Sequence, residues 1–262
     1  MNKTRNASEH IYDIYLKNQH PLWIKTILRR YHKNIASCLL TVLPVGDIRL
    51  LEVGPGRGYF YQEIKKLGKS ISYAAIDWNQ SIIENLGITE GYKSQATDMP
   101  IFSKKFNIIY ASYIIEHLSN GISLYKFFRK CRKNLVPGGL LIILTNNALK
   151  QGIEFWHADY THAYPTTPRN VAMALYDSGF HTVYIREITD FSVFLTKNAS
   201  LWPLLSLTTR FFLMWYHHNM FSFIKSCFAS VLRKKNPYSL SDTFFQFHIF
   251  TQHPGLFITA RI

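Results

Sequence analysis

The sequence predicts an α/β fold built on a doubly wound, mainly parallel sheet, and three observations predict it. Short apolar runs alternate with amphipathic segments of helical period from about residue 49 to residue 145. The first run ends in a glycine cluster, Gly54-Pro55-Gly56-Arg57-Gly58, the sign of a buried strand feeding a tight turn. A strand followed by a helix, repeated, gives βαβ units with right-handed crossovers.

Taken in order, residues 22–43 place Ile24, Ile27, Leu28, Tyr31, Ile35, Leu39 and Val42 at three- and four-residue spacing, with Lys25, Arg29 and Lys33 on another face. That is an amphipathic helix ahead of the core, stopped by Pro44, Gly46 and Asp47. The first strand starts near Arg49 and runs through RLLEVG. A helix follows Gly58. Then come a strand at 72–77, a helix QSIIENLG, a loop carrying ATDMP (96–100), a strand FNIIYAS (106–112), a helix at 123–135, a PGG turn (137–139) and a strand LLIILT (140–145). An aromatic, His-rich loop spans 151–168. A helix at 167–180, a strand HTVYIREI (181–188) and a final run GLFITARI (255–262) complete the pattern.

Length and composition agree with this reading. The chain has 262 residues, 47% hydrophobic and 18% charged, long enough for a sizeable core and far from the composition of a disordered chain. No internal repeat is visible, and no linker is long enough to divide two domains. We therefore expect one domain, with a helical extension at 1–47, a core at 48–196, an insertion at 197–250 and a last strand at 251–262. Cys38, Cys131 and Cys227 are far apart with no CxxC, which excludes a legible disulfide framework or zinc knuckle. The polar start MNKTRNASEH has no signal-peptide core, so a cytoplasmic location is expected.

The strongest chemical signal is the Gly54–Gly58 loop at the end of the first strand. Glycines there let the backbone turn sharply and approach a ligand lying across the strand carboxyl ends. The spacing is G-x-G-x-G. A dinucleotide fingerprint would need its third glycine where Tyr59 stands, and no Gly-Lys-Ser/Thr follows for a P-loop. Asp77, at the tip of the second strand, can accept both hydroxyls of a ribose. Asp98 is placed to accept from an exocyclic amine, and Trp78 and Met99 offer flat or soft apolar surface to a purine.

The segments LLEVGPGRGYF, AAIDWN, ATDMP, FNIIYASYIIEHL and LVPGGLLIILT resemble, in order over residues 49–146, the motifs of the class I S-adenosylmethionine-dependent methyltransferases. The resemblance implies a Rossmann-like seven-stranded sheet whose last strand, GLFITARI, runs antiparallel. It also implies S-adenosyl-L-methionine (SAM) as cofactor, held by Gly54, Pro55, Gly56 and Gly58, with Asp77 on the ribose, Asp98 and Met99 near the adenine, and Trp78 and Ser112 alongside. Glu52 is similar to the acidic residue that opens the first motif, near the methionine moiety.

Methyl transfer to a hydroxyl needs a positioned acceptor and a base for its proton. His117 is in a position similar to the His of the ubiquinone-type O-methyltransferases; the alternative is that it begins a helix and packs under the cofactor. A second candidate is the His157-x-Asp159-x-x-His162 stretch, where Asp159 could hold and activate the His162 imidazole. DYTHAYPTTPRNV also resembles, more loosely, a stretch of methyltransferases found among bacterial surface-polysaccharide genes. A structural aromatic loop is the alternative. The spacing has no evident fourth ligand, and no metal is expected.

Net charge is +14, carried mainly by the flanks: +5 over 1–49, +4 over 50–180 and +5 over 181–262. The basic residues are dispersed among aromatics and no RNA-binding module is legible, so nucleic acid is not the expected partner. In the insertion, Trp202, Phe211, Phe212, Trp215 and Phe221 precede Arg233-Lys234-Lys235. That pattern suits a peripheral helix on an anionic membrane face, and equally a helical lid or a homodimer face. The expected function is O-methylation of a glycan, glycolipid or lipid-linked acceptor. A small-molecule acceptor such as a quinone precursor is the alternative, and a non-catalytic SAM-binding or RNA-associated protein is the alternative from another class.

Overall fold

The computed structural model describes residues 22–42, 46–67, 71–189 and 254–262. The insertion at 197–250 and the residues before Leu22 lie outside the described residues. Contacts divide the chain into one unit of Met1–Glu187 with Gly255–Ile262 and a second of Ile188–Pro254; the site described below belongs to the first.

Seven strands form one sheet: β1 (Ile48–Val53), β2 (Ile71–Asp77), β3 (Glu90–Lys93), β4 (Phe106–Ser112), β5 (Leu135–Asn146), β6 (Thr182–Thr189) and β7 (Pro254–Arg261). Their order is β3-β2-β1-β4-β5-β7-β6. β1 pairs in parallel with β2 and β4, and β4 with β5; β7 runs antiparallel to β5, from Leu140↔Arg261 to Asn146↔Gly255. This is the seven-stranded Rossmann-like sheet with its reversed strand. The strand order turns back between β1 and β4, which opens a crevice at their carboxyl ends.

Helices α1 (Leu22–Val42), α2 (Tyr59–Lys66), α3 (Gln80–Leu86), α4 (Gly121–Asn134), α5 (Ala148–Gln151), α6 (Glu154–Ala158) and α7 (Pro168–Asp177) connect and cover the strands. Their ends follow local chemistry. Asn79 accepts from Ser81 N–H to cap α3, Asn120 accepts from Ser123 N–H to cap α4, and Thr167 caps α7 ahead of Pro168. The expected α1 stripe is realised in Tyr31, Ile35 and Leu39, all buried. His32 of α1 stacks on Tyr59 of α2 with ring centroids 5.9 Å apart. Burial drops the His32 imidazole to about 4.

The sheet core is aliphatic at its centre (Leu51, Ile109, Leu141, Ile143, Ile258) and aromatic under α4, where Phe127 and Phe128 are fully buried. Among the described residues no helix is long and apolar enough to cross a membrane. Two expectations are corrected. The Pro137-Gly138-Gly139 turn does not precede the fifth strand but lies inside it: pairing begins at Phe106↔Leu135 and shifts register before Ile108. The aromatic loop 151–168 contains a helical turn, α6, which Phe155 anchors in full burial.

Candidate functional site at the strand carboxyl ends

β1 delivers the glycine loop into the crevice. Gly54, Gly56 and Gly58 have φ of 74°, 52° and 72°, in the left-handed region that side chains resist. The loop is tied by Gly54 N–H to Ile76 C=O (2.8 Å) and by Gly58 N–H to Pro55 C=O (2.8 Å). The three glycines meet different surroundings. A Cβ on Gly54 would lie 2.1 Å from Ile114 Cδ1 and one on Gly58 2.4 Å from Leu86 Cδ2, while one on Gly56 would meet nothing within 4 Å. The first and last lie against the tips of the Ile114 and Leu86 side chains, which would have to move aside for a Cβ. Gly56 faces open space, as a backbone cradling a ligand does.

Two carboxyl groups stand beside the loop. Glu52, 3% exposed, accepts from the Tyr73 hydroxyl. Burial pushes its carboxyl up to about 8, with a smaller push from Asp77, against the pull of the Tyr73 hydrogen bond. Asp77, 5% exposed, accepts from Asn79 N–H at 2.8 Å. Burial lifts it to about 6, partly offset by the backbone N–H groups of Asn79 and Trp78. Trp78 is half-buried, Ser112 is half-buried at the tip of β4, and Asp98 is exposed at the end of a 3-10 turn. Met99 is corrected: its side chain is 0% exposed, packed in the core cluster with Phe106 and Phe128, and offers a purine no surface.

The segment after β4 begins with a strained residue the sequence did not announce. Tyr113 has φ of 54°, costly for an aromatic side chain, and its N–H donates to Leu144 C=O at 2.8 Å. The chain then turns sharply into a 3-10 turn at Ile115–His117. Glu116 is fully buried. Its two oxygens accept from Thr145 Oγ1 (3.0 Å) and Asn146 Nδ2 (3.1 Å), and its backbone carbonyl accepts from the N–H groups of Ala163 and Tyr164. Burial raises its carboxyl to about 8. One residue thereby fixes the 159–164 loop against the end of β5.

That loop brings His162 to His117, with ring centroids 5.1 Å apart. His117 is held below its ordinary value by burial first and by His162 second. Here a second expectation is corrected. Asp159 does not hold His162, whose Nδ1 lies 2.6 Å from Phe155 C=O; Asp159 bonds Thr161, and Thr161 reaches His117 Nδ1 at 2.9 Å. His157 stays exposed. Atoms of Glu116, His117 and His162 that can hold a proton or a cation come within 4.8 Å of one another, the one such group of three among the described residues.

Sequence reading also passed over a cationic wall. A cleft of about 290 Å³ beside the loop is lined by Lys25, Arg29, Gly56, Arg57 and Tyr59 among others. The charges come from α1 and from the glycine loop, and the docking of α1 assembles them.

A family described as methyltransferase domain matches residues 23–185. The ubiquinone biosynthesis O-methyltransferase of Chelativorans sp. (strain BNC1) is 28% identical over 157 residues, 53% of this chain and 61% of that protein. The mitochondrial ubiquinone biosynthesis O-methyltransferase of Rattus norvegicus is 29% identical over 122 residues, 40% of this chain and 32% of that protein. The chain spans about half the length of the curated relatives it matches. Among solved structures, a SAM-dependent methyltransferase from Archaeoglobus fulgidus has a TM-score of 0.51 at 20% identity, covering 88% of this chain and 94% of that one. Phosphoethanolamine N-methyltransferase 2 of Haemonchus contortus, in complex with S-adenosyl-L-methionine, has a TM-score of 0.55 at 13% identity, covering 87% and 52%. At such identities these structures speak for the fold.

Proposed function

The chain belongs to the methyltransferase-domain family, and on that premise we propose that it transfers a methyl group from SAM to a hydroxyl oxygen of an acceptor. The observation that carries this reading is a glycine loop in the left-handed region at the carboxyl end of β1, together with the His117–His162 imidazole pair, which Glu116 ties to the end of β5. Bound at the strand carboxyl ends, SAM would supply an electrophilic methyl on a sulfonium, taken in line by the acceptor oxygen as the C–S bond breaks and the neutral thioether leaves.

The chain's own residues fit that cofactor. Gly56 leaves room for it, and Asp77 would accept from its ribose hydroxyls. Asp98, exposed, is free to meet the adenine amine, with Trp78 and Ser112 along the same rim. Glu52 answers the positive charge: a cation beside a carboxyl held near 8 draws it toward its ionised form. On the acceptor side, His117, held neutral by burial, receives the hydroxyl proton, with the His162 ring beside it.

The acceptor is the finer part of the proposal. The names of the relatives favour a small-molecule acceptor of the quinone-precursor class. The aromatic and basic make-up of 197–250 favours a glycan or lipid-linked acceptor, met at the inner face of an anionic membrane or across a homodimer. Purified protein given methyl-labelled SAM and separate membrane-lipid, polysaccharide and small-metabolite extracts decides between them by the fraction that takes the label. His117→Ala is expected to lower label transfer about 10²- to 10⁴-fold with SAM affinity kept. SAM binding with no labelled fraction would replace the catalytic reading by a binding one.

A further inference from the structure

We infer that Thr161, with Asp159 behind it, is a positioning residue that selects the tautomer and orientation of His117; the catalytic meaning of this rests on the reading of His117 as base. The argument is a count of hydrogens. A threonine hydroxyl has one to give. Thr161 Oγ1 lies 2.7 Å from Asp159 Oδ1, which also accepts from Thr161 N–H at 2.8 Å. A carboxylate only accepts, so the hydroxyl hydrogen is committed to Asp159. The contact of Thr161 Oγ1 with His117 Nδ1, at 2.9 Å, is then made with Thr161 accepting. His117 must carry its hydrogen on Nδ1, and the lone pair of the neutral ring stands on Nε2.

His162 obeys the same rule through a different partner. The Phe155 carbonyl, 2.6 Å from His162 Nδ1, can only accept, so this ring also carries its hydrogen on Nδ1. Stacking on Phe155, with centroids 4.6 Å apart, fixes its plane. A ring held this way, when neutral, has its lone pair at Nε2. The groups that face His117 are His162, Asp159, Glu116 and the Thr161 backbone, itself a hydrogen-bond partner of the ring, and the Thr161 hydroxyl is the link that turns the Asp159 carboxylate into a constraint on Nδ1.

The direction of the chain matters to the reaction. With the hydrogen on Nε2 instead, that nitrogen could not take an acceptor proton, and the imidazole would be the right group in the wrong form. Thr161→Val keeps the shape and removes the hydroxyl; Thr161→Ser keeps the hydroxyl and removes a methyl.

The test is nitrogen-15 NMR of histidine-labelled protein, with His117 assigned by the His117→Ala spectrum. The expected result is the Nδ1–H form of His117 in the wild-type protein and in Thr161→Ser. Thr161→Val should show a mixed or reversed tautomer. An Nε2–H form in the wild type would overturn the inference, whether or not either variant folds. So would an unchanged Nδ1–H form in a folded Thr161→Val. In the extract fraction the wild type labels, Thr161→Val should transfer label roughly 10- to 10³-fold more slowly with SAM affinity kept, and Thr161→Ser should restore most of the rate. If His117→Ala keeps full activity while the spectra come out as expected, the base reading fails and the positioning of the ring stands.

Discussion

Gly54 and Gly56 are two residues apart with nearly the same backbone conformation, yet they answer to different demands. Gly54→Ala adds strain at φ 74° and drives a Cβ toward Ile114, which we expect to cost about 1–3 kcal/mol of stability. Gly56→Ala adds only the strain of φ 52°, about 1 kcal/mol, and puts its methyl where the ligand would lie. Thermal melting and SAM titration separate them: Gly56→Ala should melt within roughly 2–4 °C of the wild type and bind SAM at least about tenfold more weakly. Gly54→Ala should melt lower. Equal SAM affinity in Gly56→Ala and the wild type would remove that glycine from the binding surface. Glu52 offers a test by pH. Its carboxyl sits near 8 when folded against an ordinary 4.5, so the folded chain keeps a proton that the unfolded chain loses between those values. The stability tied to that proton is therefore full below about pH 4.5 and is lost as pH rises through 8. Glu52→Gln removes the titration and keeps an acceptor for Tyr73. Urea midpoints should show the variant gaining on the wild type by up to a few kcal/mol at about pH 8, and matching it at about pH 4.

The elements were legible where their chemistry is local. β4 appears at 106–112, the residues its apolar run marks, and α3, α4 and α7 start at caps that can be read off the chain. β3 was invisible because Glu90–Lys93 has one apolar side chain, Tyr92, and is a strand only by lying beside β2. The site divides the same way. Glycines and Asp77 announce themselves at strand ends, whereas the link from Asp159 through Thr161 to His117 joins residues 44 apart, which no spacing rule reports. Another long-range tie, Asn134, sets the loop that carries Asp98. Buried at the end of α4, it accepts from Phe102 N–H (2.8 Å) and donates to Pro100 C=O (2.8 Å) and Lys130 C=O (3.1 Å). Asn134→Ala strands a backbone donor and acceptor, which we expect to cost about 2–3 kcal/mol. Amide exchange should show 98–102 opening more often than β4, and equal protection in variant and wild type would argue against this tie.

Across the entire sheet, the strand most remote in sequence has an interior place, one in from the edge. β7 fills the slot between β5 and β6, and Leu256, Ile258 and Ala260 are fully buried there. A chain cut before Pro254 keeps the glycine loop and both imidazoles but leaves β5 with an open apolar edge. We expect it to lose its cooperative thermal transition, as followed by circular dichroism; a cooperative melt within a few degrees of the full chain would show the strand to be dispensable.

The same slot has a consequence for synthesis. Leu144 pairs with Phe257, and at roughly 5–20 residues per second the ribosome takes on the order of ten seconds to make the chain between them. For that time β5 and β6 have no partner between them, and pairing them directly would shut β7 out. A nascent chain of this protein therefore passes through a window in which its most apolar edge is bare, and a trigger-factor-like or Hsp70-like chaperone acting on that stretch would find its substrate there.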